Sequence, residues 1–302
     1  MPFPIDPPIL PMLAKRVDTI PAVGDWSFEP KWDGFRALIF RDHDDLLIQS
    51  RDTKPLDRYF PELRAPLLAQ LPKRCVLDGE IIIVNATGNQ STLDFDALQQ
   101  RIHPAASRIK LLSEQTPASI VFFDCLFDSR DEDGGQVDLC SAPFKYRREH
   151  LERILDNAQP PLHLTPATQD RSTAQDWFSR FEGAGLDGVI AKPLAGPYTP
   201  DKRTLLKIKH ERDCDCVVAG FRWHKDGPGT LIGSLLLGLY DTNGTLQNVG
   251  SIGSFTAAKR KELVAFLEPY RATTLENHPW ASWAAESATS RMPGAKSRWN
   301  GN

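Results

Sequence analysis

Apolar and polar residues alternate over short stretches along most of the chain, and helical spacing appears between them. Phe35-Arg-Ala-Leu-Ile-Phe-Arg41 predicts a strand, Asp42-His-Asp-Asp45 a turn, and Leu46-Leu-Ile-Gln-Ser50 the returning strand. Residues 26–50 therefore read as a small β-meander. Leu56, Tyr59, Phe60, Leu63, Leu67 and Leu68 fall at helical spacing and predict a helix over 56–71. Further strands are expected at 75–84, 119–125, 186–192 and 204–209, and helices at 93–102, 144–155 and 174–183. Residues 1–24, rich in Pro and Gly, predict a segment wrapped over the surface. Beyond residue 212 come strands at 216–223, 233–241 and 246–252 with Gly-rich turns, then a helix at 257–267. That texture suits a small β-barrel, with an OB-fold as the candidate. Two domains follow, 1–211 and 212–302.

Charge changes the picture. Asp78 and Glu80 interrupt the apolar run at 75–84, Asp124 ends Ile120-Val-Phe-Phe, Asp187 precedes Val189-Ile, and Lys207 and Lys209 flank Ile208. Residues two apart on a strand share a face, so Asp78 points with Glu80 and Lys207 with Lys209. Burying a lone charge is costly, so four such strands together point to one shared polar cleft.

Lys31 stands just before the strand at Phe35, two residues ahead of Asp33 and three ahead of Gly34. A lysine amine attacks carbonyl or phosphoryl centres once deprotonated, and its pKa is readily lowered. Taken alone, the motif suits a surface lysine before a turn. Beside the charged strands it suits phosphoryl transfer: cations to hold a triphosphate, two carboxylates to hold Mg²⁺, and aromatic and glycine residues to frame a base. Attack on the α-phosphorus would release pyrophosphate and leave a phosphoramidate, with neighbouring cations and metal keeping Lys31 partly neutral. No Gly-x4-Gly-Lys-Ser/Thr loop is present, so the site is not a P-loop.

Composition adds bounds. The 302 residues are 41% apolar, enough for a proper core, and the net charge of -3 confines any polyanion site to a local patch. Cys75, Cys125, Cys140, Cys214 and Cys216 are odd in number and irregular in spacing. Cys214 and Cys216, one residue apart, suit neither a zinc knuckle nor a redox pair, and the five read as reduced, buried thiols of a cytoplasmic protein. No signal peptide and no membrane-spanning run is expected.

The ordered set Glu29-Pro-Lys-Trp-Asp-Gly-Phe-Arg36, Ser50-Arg-Asp52, Leu77-Asp-Gly-Glu-Ile81, Phe122-Phe-Asp124, Asp187-Gly-Val-Ile-Ala-Lys192 and Leu206-Lys-Ile-Lys209 resembles the ATP-dependent DNA ligases. These belong to the covalent nucleotidyltransferase superfamily. The likeness is greatest to small bacterial ligases that resemble the ligase module of multidomain end-joining enzymes, and it spans about residues 10–256. It implies an α+β fold, with an adenylation domain of antiparallel sheets and flanking helices followed by an OB-fold barrel. It implies ATP, with Mg²⁺ or Mn²⁺, and a lysyl-AMP intermediate at Lys31 that leads to sealing of nicked duplex DNA. By the same resemblance Glu29 lies by the adenine and Phe123 stacks on it, and Arg36 and Arg51 contact the nucleotide or the DNA 5′-phosphate. Glu80 meets ribose or metal, Asp187 binds metal, and Lys207 and Lys209 hold the α-phosphate. Phe123 equally suits core, Arg36 an outward side chain, and Lys192 either the family's basic position or an exposed strand end.

Lys192, Arg222, His224 and Lys225 are expected as DNA contacts, while Lys145, Arg147 and Arg148 suit a solvated helix face better than phosphate contacts. The linker near Arg212 is the expected hinge between reaction steps. Two departures stand out. Asp187 replaces the family's usual Glu, and the chain stops at Ser297-Arg-Trp-Asn-Gly-Asn302 before any match to the family's C-terminal basic motif, so a truncated barrel impaired in adenylation is expected. RNA ligation, GTP-dependent capping chemistry and a non-catalytic nick-binding module remain alternatives. NAD⁺ is disfavoured because that family's extra N-terminal domain and four-cysteine zinc module are missing. A repair polymerase or end-binding partner would be a separate chain.

Overall fold

The computed structural model describes residues 5–87, 90–129, 137–181, 186–210, 213–272, 278 and 280. Two compact units divide the chain, Met1–Glu211 and Arg212–Asn302. The first runs β1 (Leu13–Val17), β2 (Trp26–Pro30), β3 (Phe35–Asp42), β4 (Asp45–Ser50), α1 (Pro61–Gln70), β5 (Arg74–Ile82), β6 (Val84–Thr87) and β7 (Gln90–Leu93). It continues through α2 (Phe95–Gln100), α3 (Ala106–Gln115), β8 (Ser119–Asp128), β9 (Val137–Asp138), α4 (Phe144–Leu155), β10 (Leu162–Leu164), α5 (Arg171–Phe181), β11 (Gly188–Pro193) and β12 (Arg203–Lys209).

Two sheets face each other. One has the order β1-β12-β11-β2; the other has β10-β8-β5-β3-β4, with β9 added on β8. The alternation along β3 shows how they stack. Ala37 and Ile39 enter a core with Leu63 and Leu67 of α1 and Leu151 of α4, while Leu38 and Phe40 enter a second core with Met12, Tyr198 and Leu205. Burying such Leu and Phe side chains contributes about 1.5–3 kcal/mol each. The four-stranded sheet repeats the device: Ile190 faces the inter-sheet core, whereas Val189 and Ala191 pack with Ala174 of α5. The layers are thus helices, sheet, sheet, helix. The loop after β11 joins them at one end, where the carbonyls of Leu194 and Gly196 accept from the free N–H groups of Lys145 and Phe144 at the start of α4.

Several sequence expectations need correction. Residues 26–50 are not one meander, because β2 pairs with β11 in the opposite sheet and only β3 and β4 form a hairpin. Residues 1–24 do more than wrap the surface: β1 pairs in parallel with β12, and Ile5 and Met12 are buried. The helix expected from residue 56 starts at Pro61, preceded by a 3-10 turn at Asp57–Tyr59. Proline at the first position disfavours helical geometry at Phe60, whose φ is -132°. The pattern missed α3, β9, β10 and the β6–β7 hairpin. It also misread the thiols, for Cys214 is exposed and Cys140 and Cys216 are half-buried.

The second unit holds β13 (Val217–Trp223), β14 (Ile232–Tyr240), β15 (Leu246–Ile252) and α6 (Ala257–Leu267). The strands form an antiparallel meander, and α6 closes one face through Leu263 and Leu267 against Ile232, Phe221 and Leu235. Thr256 caps α6 by accepting from the Lys259 N–H. The expected loss of a C-terminal motif falls on residues 281–302, outside the described residues.

Candidate active site

The loop from β2 to β3 crosses from one sheet to the other, and its backbone is pinned at Lys31. The Lys31 N–H donates to Gly188 O (2.8 Å), and the Asp187 N–H donates to Lys31 O (3.2 Å). Gly188 has φ +136°, and a Cβ there would run into the carbonyl oxygen of Ile208 on β12. Glycine is what lets β11 and β12 approach closely enough to bring their charged ends to Lys31. Asp187 Oδ2 then accepts from both Lys31 Nζ (2.9 Å) and Lys209 Nζ (2.8 Å). Partial burial pushes the Asp187 carboxyl up, but the two ammonium groups outweigh it and hold it below the usual carboxylate range.

Lys31 opens into a cavity of about 480 Å³ between the sheets of the first unit. Arg36 and Phe123 line it from the six-stranded sheet, and Glu29, Lys192 and Lys207 from the four-stranded one. The Arg36 guanidinium lies 4.5 Å from the centre of the Phe123 ring. Its Nε and Nη2 donate to the two oxygens of Asp78 (2.5 and 2.6 Å). Tyr198 donates its hydroxyl to Asp78 (2.7 Å) and accepts from the Met12 N–H (3.2 Å), so the segment before β1 braces the same arginine. Asp78 is fully buried and committed to this network. Glu80 on the same face lines the cavity instead. Burial raises its carboxyl to about 7, and Asp78 and Asp33 add to the rise against the pull of Arg36 and Lys31.

At another wall, Lys192 Nζ pairs with Glu29 Oε2 (2.8 Å), donates to Phe123 O (2.6 Å) and lies 4.7 Å from the Phe123 ring centre. Burial raises the Glu29 carboxyl despite Lys192 and Arg148. Glu29 Oε1 and Arg148 Nη1, 3.6 Å apart, are buried with no hydrogen-bond partner among the described residues. Unmet polar atoms beside an aromatic ring suit a heterocycle with donors and acceptors on its edge. Lys31, Arg51, Arg203 and Lys207 give the cavity a cationic wall. Partial burial depresses the Lys207 amine, helped by Lys31, Arg203, Lys209 and Arg51. A cleft with a base-sized aromatic slot and converging cations is built for a nucleotide polyphosphate.

Residues 11–209 match the profile of the ATP dependent DNA ligase domain. The chain belongs to the ATP-dependent DNA ligases. It is 51% identical to DNA ligase C2 of Mycolicibacterium smegmatis over 99% of this chain and 82% of that one. DNA ligase C of Mycobacterium tuberculosis is 52% identical over 99% of this chain and 81% of its own. Among solved structures, a mycobacterial DNA ligase D complexed with ATP and MES superposes with a TM-score of 0.54 at 27% identity, covering 88% of this chain and 79% of that one. The ligase therefore has the expected α+β nucleotidyltransferase fold, is an ATP-dependent enzyme, and acts on DNA. Its relatives do not favour the RNA-ligase, capping-type or non-catalytic alternatives. Among the described residues no helix is long and apolar enough to cross a membrane.

In this ligase Glu29, Lys31, Arg36, Arg51, Glu80, Phe123 and Lys207 all line one cavity. Lys209 and Asp187 are tied to it through Lys31. Lys192 is not the DNA contact expected, because it is 3% exposed and its ammonium is spent on Glu29 and the Phe123 carbonyl. Nor is α4 a solvated basic face. Arg147 is 1% exposed and bidentate to Asp124 (2.7 and 3.0 Å), and Arg148 reaches Thr165 O and Glu152. In the second unit Arg222 is half-buried on β13, His224 Nδ1 lies 3.0 Å from Asp226 Oδ2, and Lys225 is exposed. Sequence reasoning missed Arg203, which shares the face of Lys207 by the same two-residue period that exposed Lys209. It also missed Tyr198, which carries no local signal at all.

Proposed function

We propose that this ligase seals nicked duplex DNA through a covalent AMP on Lys31. The observation that carries the proposal is Lys31 itself, held by its backbone at the edge of a nucleotide-sized cavity, between a carboxylate and a wall of cations. The ammonium engaged by Asp187 must first give up its proton. The nitrogen lone pair then attacks the α-phosphorus of ATP, an N–P bond forms, the P–O bond to the β-phosphate breaks, and pyrophosphate leaves. A terminal oxygen of the DNA 5′-phosphate next attacks the same phosphorus and displaces the lysine. The neighbouring 3′-hydroxyl finally attacks the 5′-phosphorus, and AMP departs. Arg51, Arg203, Lys207 and Lys209 would stabilise negative charge on the phosphates. Phe123 would stack on the adenine, and Glu29 with Arg148 would meet its edge.

Mg²⁺ or Mn²⁺ is proposed from chemistry. Glu80 fits as a ligand, being a carboxylate directed into the cavity with no side-chain hydrogen bond among the described residues. Asp187 fits only after Lys31 and Lys209 let go of its oxygen. Among the described residues no group of three or more acidic, His or Cys side chains is placed to hold a metal ion by itself. When bound it would neutralise triphosphate charge. We assign adenylation to residues 1–211 and duplex binding to 212–302, with Arg222 and Lys225 as contacts, and place the enzyme with its DNA in the cytoplasm. Repair polymerases or end-binding proteins would act as separate partners.

The test is the intact mass of the protein before and after ATP with Mg²⁺. Wild type should gain one AMP, and Lys31→Ala none. A mutant that still gains AMP would refute the assignment.

A further inference from the structure

The established chemistry leaves Cys214 and Cys216 unused. They belong to Asp213-Cys214-Asp215-Cys216, the segment that leads directly into β13. Cys75 and Cys125 are fully buried in the first unit, beyond the reach of solvent reagents. Cys214 is exposed and Cys216 half-buried, and their Sγ atoms lie 3.5 Å apart. One intervening residue is not the spacing expected of a redox pair, yet two free thiols in contact at the surface are placed to be oxidised together. We propose that Cys214 and Cys216 form a reversible dithiol–disulfide site, oxidised by hydroperoxides, in the segment that links the two units of the ligase.

The division of labour follows from exposure. Hydrogen bonding to Cys214, with partial burial and Asp215, pushes the Cys216 thiol up, so Cys216 holds its proton while Cys214 faces solvent. The Cys214 thiolate attacks one oxygen of the hydroperoxide. An S–O bond forms and the O–O bond breaks, leaving a sulfenic acid and releasing an alcohol, or water when the oxidant is hydrogen peroxide. Cys216 then attacks the Cys214 sulfur as its thiolate, the S–S bond forms, and hydroxide leaves and takes up the thiol proton as water. Two thiols have given up two electrons and two protons to one peroxide. The flanking Asp213 and Asp215 disfavour anionic oxidants, which selects for a neutral peroxide. A bridge across one intervening residue closes a short, strained ring, so it adds little stability and is readily reduced by a dithiol through a mixed disulfide. It also removes backbone freedom from the covalent connection between the units. Oxidation should therefore slow any step in which that connection must rearrange, a consequence that rests on the sealing cycle proposed above.

The experiment uses the full chain and hydrogen peroxide. Wild type should lose the mass of two hydrogen atoms, yield one peptide with Cys214 and Cys216 linked, and return to its starting mass with dithiothreitol. Cys216→Ser should instead accumulate a dimedone-reactive sulfenic acid at Cys214. Nick sealing should slow in oxidised wild type, recover on reduction, and stay constant in the Cys214→Ser/Cys216→Ser double variant, whose changes at these surface positions leave the folded cores intact. Free thiols at both positions after oxidation, a disulfide between two chains, or a sulfinic acid on Cys214 without a link would overturn the site. A linked pair with an unchanged sealing rate would overturn its control of the linker. Absence of sealing by the reduced protein would count against the ligation cycle alone, since the mass reads the dithiol directly.

Discussion

Lys192 shows how far a single side chain can depart from its default. Lysine is among the residues least often buried, so a strand-end lysine reads as solvent-facing. Here its value lies in Glu29, 163 residues earlier in the chain, and in the Phe123 carbonyl. Removing one partner of such a pair strands the other charge, so Lys192→Met should cost about 3–5 kcal/mol in urea unfolding, partly recovered by adding Glu29→Gln. The same variant should leave the salt dependence of DNA binding unchanged, because no phosphate contact is lost. Glu80 gives a prediction with the opposite character. Its folded carboxyl at about 7 lies above the ordinary 4.5, so the folded state holds the proton more tightly than the unfolded chain. Its contribution is fully present below pH 4.5 and is lost as pH rises through about 7. Glu80→Gln cannot ionise, so without nucleotide or divalent ions it should gain stability relative to wild type across that window, as read by urea midpoints. The sequence made Lys31, Arg36, Glu80 and Lys207 legible because charge inside apolar alternation is visible locally. It hid the roles of Lys192 and Arg147 because their partners are distant.

Elements obey the same division. The strand at β3 and the helix α4 were legible because their periods are local and long enough to count. The short β1 was missed because its partner, β12, lies almost the whole unit away. The β2 strand was joined to the wrong sheet because neighbours in sequence usually pair, and here they do not. What lets β11 and β12 converge is Gly188. Gly188→Ala adds a Cβ against the Ile208 carbonyl and strains a backbone at φ +136°, so it should cost at least about 2 kcal/mol. Because Gly188 O also receives the Lys31 N–H, the variant should form the lysyl-AMP adduct more slowly than its loss of folded protein accounts for. An adduct rate equal to wild type per folded molecule would separate the glycine from the lysine.

Over the whole molecule, every described residue lining the cavity belongs to Met1–Glu211. A fragment ending at residue 211 should fold alone and bind ATP with the affinity of the full chain in calorimetry, while its affinity for nicked duplex falls. ATP binding that needed the second unit would contradict this. The net charge of -3 gives the chain no general pull on DNA, so attraction must come from local cationic surfaces. The ammonium of Lys31, paired with Asp187, has a bearing on how this enzyme can be handled. Turning the Lys31 ammonium into a phosphoramidate removes one positive charge and adds one negative charge. The loaded and unloaded forms of a protein with pI near 6.2 therefore differ enough to be resolved on an anion-exchange column. Purification itself would report how much of the enzyme already carries its nucleotide.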